Sequence, residues 1–327
     1  MFLGSIFACA PELDSADTAE AGPQWTVVGE GLSSALLSIW GTSWDDVWVV
    51  GADTGSDGVL MHWNGTEWSR ILGLGAGDAW WIEGTETTLW ISCAGGRILR
   101  YDLSTGAIAE DTLDLPRTMF GIWPASDTDA WAVGGDPDVG VDTAVLYHWN
   151  GETWQPAELP PEAAAAGTIF KVTGAASNDV WAVGNDGIAL HYDGSSWTLV
   201  PTPVANNLFG IRGRYAVGGD FTATILAWNG GGFVEESPLY AYQFTGVSDD
   251  GEHTPTAVGL QGQIYLRGEL GWEPDPSPSA NLQDLHAVWI DPEGGSWAVG
   301  GHLSTLPLIH GALQYKGDRI IAPLESL

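Results

Sequence analysis

A four-residue core, Trp-x-Val-Gly, recurs along the chain and constrains its folding more than any other feature. Copies begin at Trp48, Trp90, Trp131, Trp181, Tyr215, Thr256 and Trp297, with successive spacings of 42, 41, 50, 34, 41 and 41 residues. The closing glycine falls at Gly51, Gly134, Gly184, Gly218, Gly259 and Gly300, and the second unit places Cys93 there instead. Periods near 40 residues belong to propeller blades or helical arrays.

Each unit reads as short β-branched and aromatic runs split by Gly, Asn and Asp, without a 3.6-residue apolar period, which selects blades over helices. In the fourth unit the strands are expected at 169–173, 180–184, 188–192 and 197–200, joined by Ala-Ser-Asn-Asp, Asn-Asp-Gly and Asp-Gly-Ser-Ser turns. The expected fold is all-β: a single β-propeller of seven four-stranded antiparallel blades, with six or eight as the neighbouring counts.

An aromatic pair closes several units, at Trp63/Trp68, Trp149/Trp154, Tyr192/Trp197 and Trp228/Phe233, five residues apart across a Gly-containing turn. Two facing rings clamp an outer hairpin, adding roughly 0.2–1 kcal/mol per pair. Most of the 19 tryptophans are thereby assigned to blade packing. An open ring would leave an unpaired strand edge. Residues 24–28 are expected to latch the last blade near Asp318–Ala322, although the last unit reads as holding four strands of its own.

A closed array of about 300 residues forms one cooperative domain. The division expected is a signal- and lipobox-like segment over 1–9, a disordered acidic tether over 10–23 and the propeller over 24–327. Forty-two acidic residues against ten basic ones give a net charge of −32. That charge repels nucleic acid and anionic membrane surfaces. A monomer is expected.

The start, Met1-Phe-Leu-Gly-Ser-Ile-Phe-Ala-Cys9, is a short apolar run ending in a small residue before cysteine. It resembles the lipobox of a bacterial lipoprotein, which would make Cys9 the lipidated residue and place the protein in the cell envelope or outside the cell. No other apolar stretch approaches the roughly 20 residues of a membrane-spanning helix, so membrane contact is expected only through lipid. With Cys9 and Cys93 the only cysteines, no disulfide framework is implied.

His62, His148 and His191 share one position in the third strand of units one, three and four. Third strands of adjacent blades stand on the order of 15 Å apart, too far for shared ligation of a metal at about 2 Å. They are read as repeat-equivalent structural residues.

The loops after the Trp-x-Val-Gly strand carry Asp53 and Asp57, Asp136, Asp138 and Asp142, Asp186 and Asp220, all expected on one face. The run Asp136-Pro-Asp-Val-Gly-Val-Asp142 spaces three carboxylates around a glycine, as a hard cation such as calcium requires. A solvated acidic loop is the other reading. Asp53, Asp57, Asp186 and Asp220 are the ligand-binding candidates on that face; Trp40, Trp123 and Trp289, at the end of the first strand, are further candidates, with blade packing as their other reading. Thr173 and Arg212 stand at that position in units four and five.

Glycoside hydrolysis needs two carboxylates flanking a pocket, and this face offers too many to choose a pair. No Gly-x-Ser-x-Gly, His-Glu-x-x-His, P-loop or Cys-x-x-Cys motif is present.

The stretch Asp179-Val-Trp-Ala-Val-Gly-Asn-Asp-Gly-Ile-Ala-Leu-His-Tyr-Asp-Gly-Ser-Ser-Trp197 resembles the tectonin repeat of lectin propellers, as does Ala257–Arg267. Second strands ending in Gly-Gly, at Gly134-Gly135, Gly218-Gly219 and Gly300-Gly301, are similar to kelch repeats. The Asp-Gly-x-x-Trp turn is similar to sialidase-type Asp-box repeats. The tectonin likeness implies glycan recognition at sites lined by aromatics and carboxylates; sialidases additionally need converging arginines. The function expected is a non-enzymatic recognition or scaffold module meeting a glycan or an envelope or extracellular protein. A lectin and a sialidase-like glycoside hydrolase are the alternatives.

Overall fold

The computed structural model describes residues 22–327 except positions 54, 56, 304 and 305; Cys9, the lipobox-like segment and the tether up to residue 21 lie outside the described residues. Seven four-stranded antiparallel sheets follow one another around a ring. Their innermost, first strands are Leu36–Ser43, Ala79–Gly84, Thr118–Ser126, Ile169–Ala176, Leu208–Arg212, Phe244–Ser248 and Asp284–Ile290. The Trp-x-Val-Gly cores form the second strands. The single α-helix among the described residues, Pro161–Ala165, lies between blades three and four. In blade four the strands run Ile169–Ala176, Asp179–Gly184, Ala189–Tyr192 and Trp197–Leu199.

Blade seven holds three strands of its own, and its outermost place is taken by Thr26–Leu32 from the other end of the chain. That strand pairs with Ile309–Lys316, Thr26 opposite Tyr315, rather than with Asp318–Ala322. Residues 317–327 form no strand; instead the Leu324 N–H donates to the Val28 carbonyl at 2.7 Å. Trp25 anchors the latch, its indole N–H donating to Asp275 at 2.9 Å and its backbone N–H to Ser277 at 2.9 Å. Lys316 pairs with both oxygens of the same carboxylate at 2.8 and 2.7 Å.

The repeated tryptophan has a repeated task. Trp90 packs on Trp149 and Trp154 of the next blade at 6.0 and 6.1 Å between ring centres. Trp131 meets Tyr192 and Trp197 at 4.8 and 5.1 Å, and Trp181 meets Trp228 and Phe233 at 4.9 and 5.8 Å. Tyr215 abuts Trp272, and Trp297 abuts Trp68 across the closure. Each second strand thus seats its ring against the outer hairpin of its neighbour, where paired rings face each other in register 5.4–5.7 Å apart. Thr256 leaves blade six without such a ring. Trp25 joins the core there, with Val258 and Ile264 of blade six and Leu285 of blade seven.

Two further residues complete the module in blades one, three and four. His62, His148 and His191 bond through Nε2 to Asp46, Asp129 and Asp179 at 2.8, 2.7 and 2.8 Å. Each imidazole lies against Trp48, Trp131 or Trp181 at 3.8–4.3 Å between ring centres. The histidines are therefore held within their own blades, as their shared position in the repeat implies.

The repeated glycine answers a close backbone approach. A Cβ at Gly134, Gly184 or Gly218 would stand 2.1, 2.3 or 1.9 Å from the carbonyl oxygen of Thr118, Thr168 or Asn207. No side chain fits there.

Loops after second and fourth strands share one face. On it, blades two, four and six turn within three residues, at Ala94–Gly96, Asn185–Gly187 and Leu260–Gly262. Blades one, three, five and seven carry longer loops at 52–58, 136–144, 219–223 and 303–308.

Candidate functional site

Every first strand bulges at one equivalent residue, where the pairing register to the second strand shifts: Leu37, Trp80, Phe120, Phe170, Phe209, Thr245 and His286. A bulge re-aims the extra residue's side chain. Here all except Leu37 line one cavity of about 650 Å³ at the mouth of the central channel, on the face of the long loops.

Blades two to five each contribute an aromatic ring to it. Trp80, Phe120, Phe170 and Phe209 form a continuous arc, with ring centres 4.8, 5.5 and 5.0 Å apart. Leu303, Leu306 and Leu308 add an apolar sector, and Asp78, Asp136 and Asp138 stand among the lining residues. The His286 Nδ1 bonds to the Leu37 carbonyl. A carbonyl only accepts, so Nδ1 carries the proton and Nε2 is an acceptor. Burial pushes the His286 pKa down to about 3 and keeps the ring neutral.

The channel is plugged beneath this mouth. Lys171 is 4% exposed; its Nζ donates to the Phe120 carbonyl at 3.2 Å and lies 3.3 Å from the centre of the Trp81 ring. Burial drives its pKa well below the usual lysine range, and only the more distant Glu83 charge pulls the other way. One layer deeper, Arg212 of blade five reaches Glu83 of blade two at 2.7 Å. The void among these groups is about 20 Å³.

A second cleft, of about 770 Å³, opens on the opposite face across blades three to six. Trp123, Trp181, Arg212, Arg214, Asp249 and Asp250 are among its lining residues. His253 Nδ1 pairs with Asp250 at 2.7 Å, and Asp249 accepts the Arg214 backbone N–H at 3.0 Å.

The acidic candidates emerge on the mouth face and are largely engaged in holding loops. Asp53 accepts the backbone N–H groups of Gly55 and Gly77 at 2.8 and 2.9 Å, and these bonds lower its pKa. Asp57 accepts from Gly73 and Gly75 at 2.9 and 2.7 Å. Asp220 accepts from Asn206 and Asn207, both at 3.4 Å, and Asp186 occupies a left-handed turn position with φ of 54°. Asp136 pairs with Arg117 at 3.2 Å, while Asp142 also takes a left-handed φ, of 58°. Among the described residues no three His, Cys, Asp or Glu side chains come together to hold a metal ion, so Asp136, Asp138 and Asp142 do not converge as the calcium expectation requires.

Trp40, Trp123 and Trp289 sit opposite Trp48, Trp131 and Trp297, each in register. Their rings lie on glycines of the following blade: a Cβ at Gly84, Gly174 or Gly41 would come within 2.3, 2.7 or 2.7 Å of them. Trp123 alone of the three also lines the opposite-face cleft.

The mouth aromatics escaped sequence reading, although a signal existed. Phe120, Phe170 and Phe209 each stand two residues before an Ile or Val of the first strand, as do Trp80 and His286.

No family model matches the chain, and no curated protein matches it. Solved structures do resemble it. The virginiamycin B lyase from Staphylococcus aureus, in a catalytically inactive form with quinupristin, superposes with a TM-score of 0.71 at 13% identity over 90% of this chain and 100% of that one. YCF48 from Cyanidioschyzon merolae gives 0.66 at 14% identity over 90% and 98%. An extracellular domain from B. thetaiotaomicron gives 0.66 at 14% identity, over 89% of this chain and 40% of that chain. At such identities the likeness is one of fold, and the fold is that of a seven-bladed β-propeller.

Proposed function

We propose that this protein is a non-enzymatic recognition module that docks a basic protein segment on its mouth face, with an apolar side chain of the partner seated among Trp80, Phe120, Phe170 and Phe209. The observation that carries this reading is the arc of four rings delivered by four successive bulges. Apolar residues around the rim support it: Phe221 and Tyr240 are 88% and 98% exposed, and Leu239, Leu282 and Leu306 are exposed beside them. On the opposite face Leu270 and Ile320 are the exposed large apolar side chains among the described residues. Exposed apolar groups gathered on one face mark interaction surfaces. A net charge of −32 favours a basic partner and speeds its encounter. Export, with lipid attachment at Cys9 holding the propeller at the cell envelope, belongs to the same proposal and rests on the lipobox-like start.

The test is calorimetric titration with basic peptides carrying one Phe, Trp or Leu, at low and raised salt. Binding is expected to weaken with salt and to fall about tenfold or more in Phe170→Ala, since truncating a buried aromatic anchor costs 2 kcal/mol or more. Saturable peptide binding that Phe170→Ala and Phe209→Ala leave unchanged would sink the reading.

The lectin alternative, in line with the tectonin-like repeats, gains from the opposite-face cleft, where Trp123 and Trp181 stand beside carboxylates and two arginines. A glycan array distinguishes it: sugar binding lost in Asp249→Ala would move the site to that face. Turnover of a chromogenic glycoside would favour the sialidase-like alternative.

A further inference from the structure

Lysine occurs twice in the chain, and the two amines stand in opposite surroundings. Lys316 is paired with Asp275 at 2.7 and 2.8 Å. Among the described residues Lys171 has no carboxylate within salt-bridge distance; its Nζ bonds to one backbone carbonyl, and the residue lines both the apolar mouth and the small void below it. The titratable groups around it are Glu83, itself paired with Arg212, and the neutral His286.

An amine buried without a counter-ion invites one of two ligands: an anion to pair with, or an electrophile to react with. An anion would have to pass Asp78, Asp136 and Asp138 against a net charge of −32. A neutral carbonyl compound meets no such barrier. The aromatic arc supplies the apolar contact its body needs, and a desolvated amine is the nucleophilic form.

We propose that the mouth is a carbonyl-binding site in which Lys171 Nζ captures an aromatic or apolar aldehyde as an imine. The Nζ lone pair adds to the carbonyl carbon, a proton moves from nitrogen to oxygen to give a carbinolamine, and loss of water leaves the C=N bond. The Trp81 ring lies against the amine, 3.3 Å from Nζ to the ring centre, and holds it at the floor of the mouth. The proposal uses the pocket named above but does not require a protein partner to fill it.

The test treats the full chain with cinnamaldehyde and sodium cyanoborohydride near neutral pH, where hydride addition to the imine carbon fixes the adduct as a secondary amine. Intact mass and peptide mapping are expected to find, beside any label on the α-amine, one side-chain adduct, on Lys171. It should form about tenfold or more faster than any adduct on Lys316, whose Nζ is held as a cation by both oxygens of Asp275, because only the unprotonated amine adds to a carbonyl. Lys171→Arg should lose it, with circular dichroism confirming the fold; the ratio of Lys171 to Lys316 labelling in the unaltered protein tests the claim without a variant. Equal labelling of Lys316, or none on Lys171, would overturn the proposal. Faster reaction with glyoxylate than with cinnamaldehyde would also overturn it, making the pocket an anion site. Peptide titration is read separately, so failure of the docking reading and failure of this one are distinguishable.

Discussion

The carboxylate of Asp275 accepts the indole N–H of Trp25 at 2.9 Å across 250 residues of sequence, and so ties the first described segment of the chain to the sixth blade. The same carboxylate, 1% exposed, holds Lys316 of the strand on which the latch lies.

Asp275→Ala should therefore destabilise the protein by about 3 kcal/mol, since removing one partner of a buried pair strands the other. Trp25→Phe, which keeps a ring and loses one hydrogen bond, should cost about 1 kcal/mol from that bond. Urea denaturation followed by tryptophan fluorescence measures both, and equal effects would contradict the shared-carboxylate account.

Gly184→Ala should cost about 2–3 kcal/mol, because the new methyl would meet the Thr168 carbonyl oxygen, a backbone atom that cannot swing aside. Gly231→Ala, whose nearest neighbour is Asn229 Oδ1 at 3.6 Å, should stay within about 0.5 kcal/mol of the parent. Thermal denaturation of the two variants side by side checks the contrast.

Cys93 takes the glycine position in blade two and is buried, which pushes its thiol up to about 12. In a Cys9→Ser variant, alkylation at about pH 8, near the ordinary thiol pKa, should track global unfolding rather than local solvent contact. Rapid labelling of the folded protein would show that blade two opens independently.

Outer hairpins turn on a side-chain oxygen that accepts two following backbone N–H groups: Asn64, Asp102, Asn150, Asp193 and Asn229. Bonds from Ser104 and Thr105, and from Ser195 and Ser196, lower Asp102 and Asp193 to about 2. A depressed carboxylate stabilises the fold above its unfolded pKa of about 3.9, and that contribution is lost as pH falls from about 4 toward 2. Asp78 and Asp291, raised by burial, act with the opposite sign and favour the fold as they protonate. Asp102→Asn with Asp193→Asn keeps the turns in the form three other blades use. It should flatten the acid limb of the stability curve measured by circular dichroism; an unchanged limb would refute the assignment.

The repeat was legible because packing writes it: Trp48, Trp131 and Trp181 need an aromatic hairpin opposite them, and Gly134 and Gly184 need a missing side chain. The seven blades and the outer aromatic pairs followed from those residues. The segment that latches the ring is legible in the sequence but its partner is not, since Asp318–Ala322 carries strand-like residues while Ile309–Lys316 supplies the pairing. The mouth was harder to read. Phe120, Phe170 and Phe209 would point elsewhere in regular strands, and only the bulge, a register event invisible to a period-two pattern, turns them into the channel. Nothing in the sequence around Lys171 announces that Trp81 and Phe120 enclose it.

Long and short loops alternate around the mouth, yet seven is odd. Strict alternation on an odd ring needs one defect, and it falls where blades seven and one adjoin, each bearing a long loop, at 303–308 and 52–58. It lies beside the latch, which closes the ring inside blade seven by pairing Thr26–Leu32 with Ile309–Lys316. A nearly rotational molecule thereby acquires a heading: the rim is doubled over one sector, and an approaching molecule meets a face with a definite orientation.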